Sequence, residues 1–241
     1  MAGFGGFRPA AFQFLRNLAR NNERIWFEAN RDVYEREVRG PMRRLVEAID
    51  AELGSIAPEI VGDPKRSLFR LHRDIRFSRN KSPYKTNAGA WFYHGNAGRK
   101  VGRAGEGGGA GFYFHIDPVT CFVAGGLWMP ARPTLQRIRE AIAAQPGALA
   151  RLTSAAGFRR RFDGLSEEAK LRRVPRDFSP DHPAAEWLKL QSFTARASIE
   201  QSVVTSPRLV DRLCRDFELL VPLVRWLNRA LGYQPATTRR R

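Results

Sequence analysis

The sequence FRLHRDIRFSRNKSPYK, residues 69–85, contains the two patterns from which the rest of the chain is interpreted. Apolar side chains fall mainly on odd positions from Phe69 to Phe77, and charged or polar ones fall on even positions from Arg70 to Arg76. A period of two is typical of a half-buried β-strand with one face in the core. We therefore predict a strand over residues 69–77. Arg73 breaks the alternation, which predicts a bulge or a paired side chain there.

The same stretch predicts a surface that binds anions. It is rich in arginine and lysine, with Asp74 as its one carboxylate. Alternate residues of a strand stand about 7 Å apart along one face, and guanidinium groups bind phosphate oxygens through two parallel hydrogen bonds. The predicted anion ligands are Arg70, Arg73, Arg76, Lys81 and Lys85, with hydrogen bonds from Ser78 and Tyr84. Asp74 either orients an arginine or acts as a base. The alternative is that Asp74 and the arginines form a structural ion-pair network.

Several motifs together resemble a known family. They are RDIRFSRNKSPYKTN (73–87), NNERIWFEANRDVYE (21–35), SPDHPAAEWLK (179–189) and a GLW.P motif that precedes a helix. In these features, and over about residues 12–226, the chain resembles the family catalogued as domain of unknown function 2461. The resemblance implies a single-domain α+β protein and assigns no activity, cofactor or catalytic residue. The glycine-rich segment 95–111 is longer and looser than this family leads us to expect.

Composition indicates one globular domain, residues 1–241, with an anionic partner. The chain is 43% hydrophobic and has a formal net charge of +17. A strongly basic protein attracts phosphorylated small molecules, nucleic acid or an acidic surface. Most of the basic residues are arginine, a bias that genome base composition also produces. No dense basic block or nucleic-acid motif is present, so nucleic-acid binding stands as the alternative to a phosphorylated or polyanionic small molecule. The sequence identifies no cofactor.

The cysteines and the N-terminus indicate a cytoplasmic protein. Cys121 and Cys214 lie in apolar surroundings and form no CxxC or Cys/His metal spacing, so they are predicted to be buried free thiols in a reducing compartment. We identify no signal peptide and no apolar run long enough to cross a membrane.

The order of the predicted elements indicates an α+β fold with a mainly antiparallel sheet packed against several helices. Helices are predicted over residues 9–19, 23–38, 41–53, 134–144 and 207–231, with Gly40 ending the second and Pro222 kinking or dividing the last. Besides 69–77, strands are predicted over residues 88–94, 112–117, 121–128 and 193–199. Segment 95–111 is predicted to be a flexible hairpin loop, FRRRF (158–162) an edge strand or loop, and 235–241 a flexible basic tail.

A second alternating stretch, FYFHID (112–117), places Tyr113, His115 and Asp117 on one face of a strand. If this strand joins residues 69–77, these side chains share a face with the basic row, and His115 becomes part of the binding site as a proton donor. A third hypothesis, after small-molecule and nucleic-acid binding, is a metal-dependent hydrolase. It would use His72 and Asp74 together with His115 and Asp117, although nothing in the sequence fixes their spacing.

Overall fold

The protein, seen here in a computed structural model that describes residues 4–76, 79–100 and 108–238, is built around one antiparallel sheet. The sheet has the strand order β1–β2–β3–β4–β5. The strands are β1 (Ile60–Val61), β2 (Ala88–His94), β3 (Gly111–Ile116), β4 (Cys121–Leu127) and β5 (Phe193–Ser198). The predicted α+β class is therefore confirmed, as are the four strand predictions at β2 to β5.

Helices precede the sheet, fill the connection between β4 and β5, and follow the last strand. Before the sheet come α1 (Pro9–Arg20), α2 (Arg24–Ala29), α3 (Arg31–Tyr34), a π-helical turn (Glu35–Arg39) and α4 (Gly40–Ile56). The β4–β5 connection contains α5 (Arg132–Ala144), α6 (Ala148–Ser154), α7 (Ala156–Arg161) and α8 (Ala185–Leu188). The chain then continues through α9 (Gln201–Val204) and α10 (Leu209–Ala230). Within the described residues, no helix has the length and apolar character that a transmembrane span requires.

Helices α4 and α10 cover one face of the sheet. The Phe217 ring of α10 stacks on Phe112 of β3, with ring centroids 4.4 Å apart, and lies 5.6 Å from the ring of Phe92. All three rings are buried, and full burial of a phenylalanine contributes about 1.5–3 kcal/mol to the free energy of unfolding. The helix interrupted by Pro222 in the sequence remains a single element in the structure. This packing fixes which side chains of the strands face away from the helices.

The other face of the sheet carries two cross-strand rows of side chains. One row runs from Gly89 through His115 and Phe122 to Ser198. The neighbouring row runs from Trp91 through Tyr113 and Ala124 to Arg196. Residues directly opposite each other in an antiparallel sheet have neighbouring side chains, so each row forms a continuous surface.

The predicted strand over residues 69–77 is wrong. The chain there is extended and touches β2 through hydrogen bonds from Phe69 N–H to Gly89 O and from Trp91 N–H to Ser67 O. Farther on, the described part of the segment pairs with its own returning arm, at the His72–Tyr84 bridge. An extended chain with Leu71 buried produces the period of two without a regular ladder. Phe77 lies outside the described residues.

The predicted helix boundary at Gly40 is also wrong. The π-helical turn runs directly into α4, because the N–H of Gly40 donates to the carbonyl oxygen of Glu35. A side chain on Gly40 would meet that same carbonyl oxygen, so glycine permits the close approach. Pro41 then occupies the start of α4, where its missing N–H costs least. Before this turn, the predicted helix 23–38 is divided into α2 and α3.

Two further predictions concern loops. Residues 95–110 connect the paired strands β2 and β3, and Gly111 already belongs to β3; residues 101–107 of the predicted flexible loop lie outside the described residues. The FRRRF motif was predicted to be an edge strand or loop, and this is wrong because most of it belongs to α7. The reason is tertiary: Arg161 of α7 forms an ion pair with the buried Asp216 of α10, at 2.7 Å between Nε and Oδ1.

Candidate functional site

The structure separates the predicted anion ligands instead of bringing them into one row. Asp74 and Arg76 form an exposed ion pair, with Nη2 of the arginine 2.6 Å from Oδ2 of the carboxylate. Hydrogen bonds from the Arg76 side chain are the main cause that lowers the pKa of Asp74 to about 2. Lys81 is exposed and donates from Nζ to the carbonyl oxygen of Ile75. In the structure Asp74 is therefore paired with Arg76, and Lys81 is bonded to the backbone of its own loop.

Tyr84 packs into the core. Its buried ring lies 4.4 Å from that of Phe27 and 5.0 Å from that of His72, measured between centroids. Asn22 holds its backbone on both sides, by accepting from the Tyr84 N–H and donating to the Tyr84 carbonyl oxygen. Arg73 lies half-buried on the adjacent arm, where its N–H donates to the carbonyl oxygen of Pro83. The predicted ligand Ser78 lies outside the described residues.

A basic pocket of about 220 Å³ lies between residues 64–72 and the helical segment 27–43. Its charged lining residues are Arg31, Arg39, Arg43, Lys65, Arg70 and Glu35. Two of these cations are paired, Arg31 with Glu28 and Arg39 with Glu35, each at 2.7 Å. The other three have no carboxylate partner among the residues that the structure describes. Of the predicted ligands, Arg70 belongs to this pocket.

The Arg43 side chain beside the basic pocket has one buried donor without a partner. Its Nε is inaccessible to solvent and makes no hydrogen bond within the described part of the chain. Buried polar groups in proteins are nearly always hydrogen-bonded, and a buried donor without a partner costs about 1–3 kcal/mol. Arg43 lies on α4, between the core residues Met42 and Leu45. The cost is therefore imposed by the packing of α4.

A second, larger site is the sheet cavity, of about 1200 Å³, on the face of the sheet away from α10. Trp91, Tyr113 and Phe122 form its aromatic floor. One wall contains Phe69 and Lys85 beside β2, and the other contains Arg161 and residues 163–168, where the Ser166 N–H donates to Thr194 O of β5. Because three inter-strand spacings separate β2 from β5, the floor is about 14 Å wide.

Three residues on the β3 side of this cavity form a chain of hydrogen bonds. Tyr113 Oη lies 3.0 Å from His115 Nδ1, and His115 Nε2 lies 3.1 Å from Asp117 Oδ2. Asp117 also accepts hydrogen bonds from the N–H groups of Val119 and Thr120 and from the Thr120 hydroxyl. An ionised carboxylate only accepts, so Nε2 of His115 carries the proton and donates it, and Nδ1 accepts from the Tyr113 hydroxyl. The predicted shared face of Tyr113, His115 and Asp117 is confirmed.

The surroundings set the protonation of this chain. Burial is the main cause that lowers the pKa of His115, and Asp117 partly offsets it. Burial alone would raise the pKa of Asp117, but the hydrogen bonds from Thr120, Val119 and His115 outweigh it and lower that pKa. Burial, with a smaller contribution from Asp117, raises the pKa of Tyr113 to about 12. At neutral pH the cavity therefore holds a neutral phenol and imidazole backed by a carboxylate.

Lys85 is the residue at which the basic segment, residues 69–85, reaches the sheet cavity. Its Nζ lies 5.5 Å from the centroid of the Phe69 ring, which packs at 5.7 Å against the ring of Tyr113. Burial first, and then the positive charges of Arg70, Arg73 and Arg99, lower the pKa of Lys85. Lys85 has no carboxylate partner within the described residues. The predicted meeting of the basic segment with His115 is thus made through Phe69 and Lys85 and not through the whole row.

With both cavities described, the comparisons with known proteins place the chain in a family. A family model described as "Conserved hypothetical protein (DUF2461)" matches residues 10–226. The chain belongs to this family. The DUF2461 model spans both cavities, and its description names no activity. The searches of curated proteins and of solved structures each returned no match.

Sequence reasoning missed several residues that line the two cavities of this DUF2461 chain. Arg43 and Lys65 complete the basic pocket, while Trp91 and Phe122 form the floor of the sheet cavity. A strand with apolar residues on both faces is a signal for an aromatic floor, and WFYH (91–94) carries it. Nothing local distinguishes Arg43 from other arginines, because its role depends on the chain folding back over α4.

The residues of the hydrolase hypothesis do not form a metal site in the DUF2461 fold. His72 lies against Tyr84 and lines the basic pocket, whereas His115 and Asp117 lie at the sheet cavity. In the described ranges, no group of three or more His, Cys, Asp or Glu residues is arranged to hold a metal ion.

Proposed function

We propose that the basic pocket binds the anionic group of a small molecule, such as a phosphoryl or carboxylate group. The observation that carries the proposal is that Arg43, Lys65 and Arg70 line one small pocket without a carboxylate partner in the described residues. An anion placed in the pocket neutralises part of this positive charge and accepts hydrogen bonds from its lining side chains. Charge-assisted hydrogen bonds of this kind are roughly twice as strong as neutral ones.

The size of the pocket restricts what it holds. Pockets that enclose a whole drug-sized ligand measure about 300–1,000 Å³, whereas the basic pocket measures about 220 Å³. It therefore suits a head group, with the remainder of the ligand outside. The guanidinium groups of Arg43 and Arg70 favour an anion with several oxygens, because their forks donate two parallel hydrogen bonds.

Calorimetric titration with inorganic phosphate, at constant ionic strength, tests the proposal. Phosphate should bind the wild type, and Arg70→Gln should weaken binding by about 10- to 100-fold, because a hydrogen bond to a charged group contributes about 1.5–3 kcal/mol. Lys65→Gln should weaken it in the same direction. Lys81→Gln is the matched control, since Lys81 is an exposed lysine outside both cavities.

Equal affinity in the wild type and in Arg70→Gln would contradict the proposal. An equal loss in Lys65→Gln and Lys81→Gln would contradict it too, because it would indicate a general charge effect. A titration with plain duplex DNA separates the nucleic-acid alternative. Duplex binding that weakens with salt by about 0.9 log units per log salt for each phosphate neutralised, without phosphate binding, favours that alternative.

A further inference from the structure

The sheet cavity brings together the hydrogen-bonded chain of Tyr113, His115 and Asp117, the Lys85 ammonium and an aromatic floor. The basic pocket shares only the Phe69 ring with it among the described lining residues. We propose that it is a catalytic site that hydrolyses esters of ring-bearing alcohols or acids. In this proposal Tyr113 accepts a proton from the attacking water, His115 receives the proton of Tyr113, and Lys85 stabilises the oxyanion.

The floor and rim of the cavity suit a planar ring. Trp91 and Phe122 lie on the floor, and Trp128 at the rim is 46% exposed although it is a large apolar side chain. The indole N–H of Trp128 is held by the Glu168 carboxylate at 3.1 Å, which fixes the ring at the cavity mouth. Aromatic faces bind flat rings by offset or edge-to-face packing.

The hydrogen-bonded chain of Tyr113, His115 and Asp117 is held in place at both ends, and Tyr113 is the end that lies in the cavity. The ring of His115 stacks on Phe122 at 4.5 Å between centroids, and the hydrogen bonds to Asp117 fix the opposite end of the chain. Tyr113 lines the cavity and donates its hydroxyl proton to His115. Its oxygen therefore keeps lone pairs with which to accept a hydrogen bond from a water molecule in the cavity.

The reaction balances without any further reactant. The O–H bond of water breaks as its proton moves to Tyr113 Oη, while the Tyr113 proton moves to Nδ1 of His115, and the electron pair left on the water oxygen forms a bond to the ester carbonyl carbon. Asp117 stabilises the resulting imidazolium, and the Lys85 ammonium stabilises the oxyanion. The ester C–O bond then breaks, and the proton returns through Tyr113 to the leaving oxygen. The products are an acid and an alcohol.

The groups that face His115 determine how its pKa responds to a substitution. They are Tyr113 on its own strand, Gly89 of β2, Phe122 of β4 and Asp117 in the turn that follows β3. Among these described neighbours, Asp117 is the one that is charged at neutral pH. Its removal therefore takes away the negative charge that favours the imidazolium, and the pKa of His115 should fall.

The test is the release of 4-nitrophenolate from 4-nitrophenyl acetate by the full chain. We expect saturable release, and a loss in kcat of about 100-fold or more in Tyr113→Phe with little change in KM, as for removal of a general base. Lys85→Gln should also lower kcat. The wild-type rate should fall as the pH is lowered through the pKa of His115, which lies below 6.5, and Asp117→Asn should move that midpoint to lower pH.

Controls separate a catalytic role from a structural one. His182→Gln changes a histidine outside both cavities and should keep the wild-type rate. Tyr113→Phe retains the ring, and the melting temperature and near-ultraviolet circular dichroism of each variant report whether it is folded. No release above that of Tyr113→Phe, or a midpoint that Asp117→Asn does not move, would overturn the proposal. Phosphate titration tests the basic pocket and ester hydrolysis tests the sheet cavity, so either proposal can fail without the other.

Discussion

At the scale of single residues, the sheet cavity depends on one position without a side chain. Gly89 of β2 lies opposite His115 of β3, and a Cβ added there would collide with the Tyr113 phenol oxygen. The glycine is therefore the space through which Tyr113 reaches across the face of the sheet toward His115. No local pattern in the sequence shows this, because it depends on the register between two strands.

We predict that Gly89→Ala destabilises the protein by about 1–3 kcal/mol, the usual cost of an added methyl group in packed surroundings. The phenol must move, so its hydrogen bond to Nδ1 should be lost. Urea unfolding measures the first effect, and the chemical shift of Nδ1 by NMR measures the second. Gly5→Ala is the control, since nothing lies within 4 Å of a Cβ at that position. Equal stability of the two variants would show that Tyr113 moves freely.

At the scale of elements, residues 69–85 form a basic segment that side chains attach to the body of the protein. Asn22, after α1, makes two hydrogen bonds to the backbone of Tyr84, and Phe27 of α2 packs on the Tyr84 ring. These side-chain contacts therefore hold in place a segment whose backbone makes few hydrogen bonds to the sheet. The position of Lys85 in the sheet cavity depends on this attachment.

Asn22→Ala should lower the free energy of unfolding by about 1–3 kcal/mol, because it removes the hydrogen-bond partners of both the N–H and the carbonyl oxygen of Tyr84. Hydrogen exchange of the amides in residues 71–85 should accelerate more than exchange in β3. Asn21→Ala is a close control, since the Asn21 side chain bonds only within its own exposed turn in the described structure. If exchange in the segment is unchanged while the protein loses stability globally, the attachment has no local role.

The same element shows what the sequence could and could not predict. Alternation located β3 because its apolar face is buried, a run that is apolar on both faces located β4, and helical periodicity located α5 and α10. In residues 69–77 the alternation of Phe69 and Leu71 is equally clear, but a strand also needs a continuous partner. The backbone partners of a strand are non-local, so alternation alone does not reveal them, whereas the pairing of Asp74 with Arg76 joins residues two positions apart. The residue types of the anion hypothesis were evident, whereas their separation was not: Arg70 lines the basic pocket, Lys85 lines the sheet cavity, and others line neither.

At the scale of the whole molecule, the open face exists because the helices gather on the opposite one. Phe217 of α10 is the centre of that contact, stacked on Phe112 and next to Phe92. One buried aromatic residue therefore links the last long helix to the two strands that also carry Trp91 and Tyr113. Loss of this contact should lower stability without altering any residue of the cavity.

Phe217→Ala should cost about 3–5 kcal/mol, the range for removal of a buried phenylalanine ring. Ile25→Ala serves for comparison, because Ile25 is 84% exposed and its truncation should change the free energy of unfolding by less than about 0.5 kcal/mol. Urea or thermal unfolding measures both. A cost below about 1 kcal/mol for Phe217→Ala would mean that α10 repacks without the ring.

The two sides of the sheet cavity come from two different connections between strands. Residues 62–87 lie between β1 and β2 and supply Phe69 and Lys85, whereas residues 128–192 lie between β4 and β5 and supply the opposite side. The aromatic floor between them belongs to neither. Substitutions at the cavity-lining positions of either connection can therefore reshape what the cavity admits, while the strands beneath keep their pairing. In protein engineering, the cavity-lining residues of each side are the ones to vary, and replacement of residues 163–168 is the smallest such change.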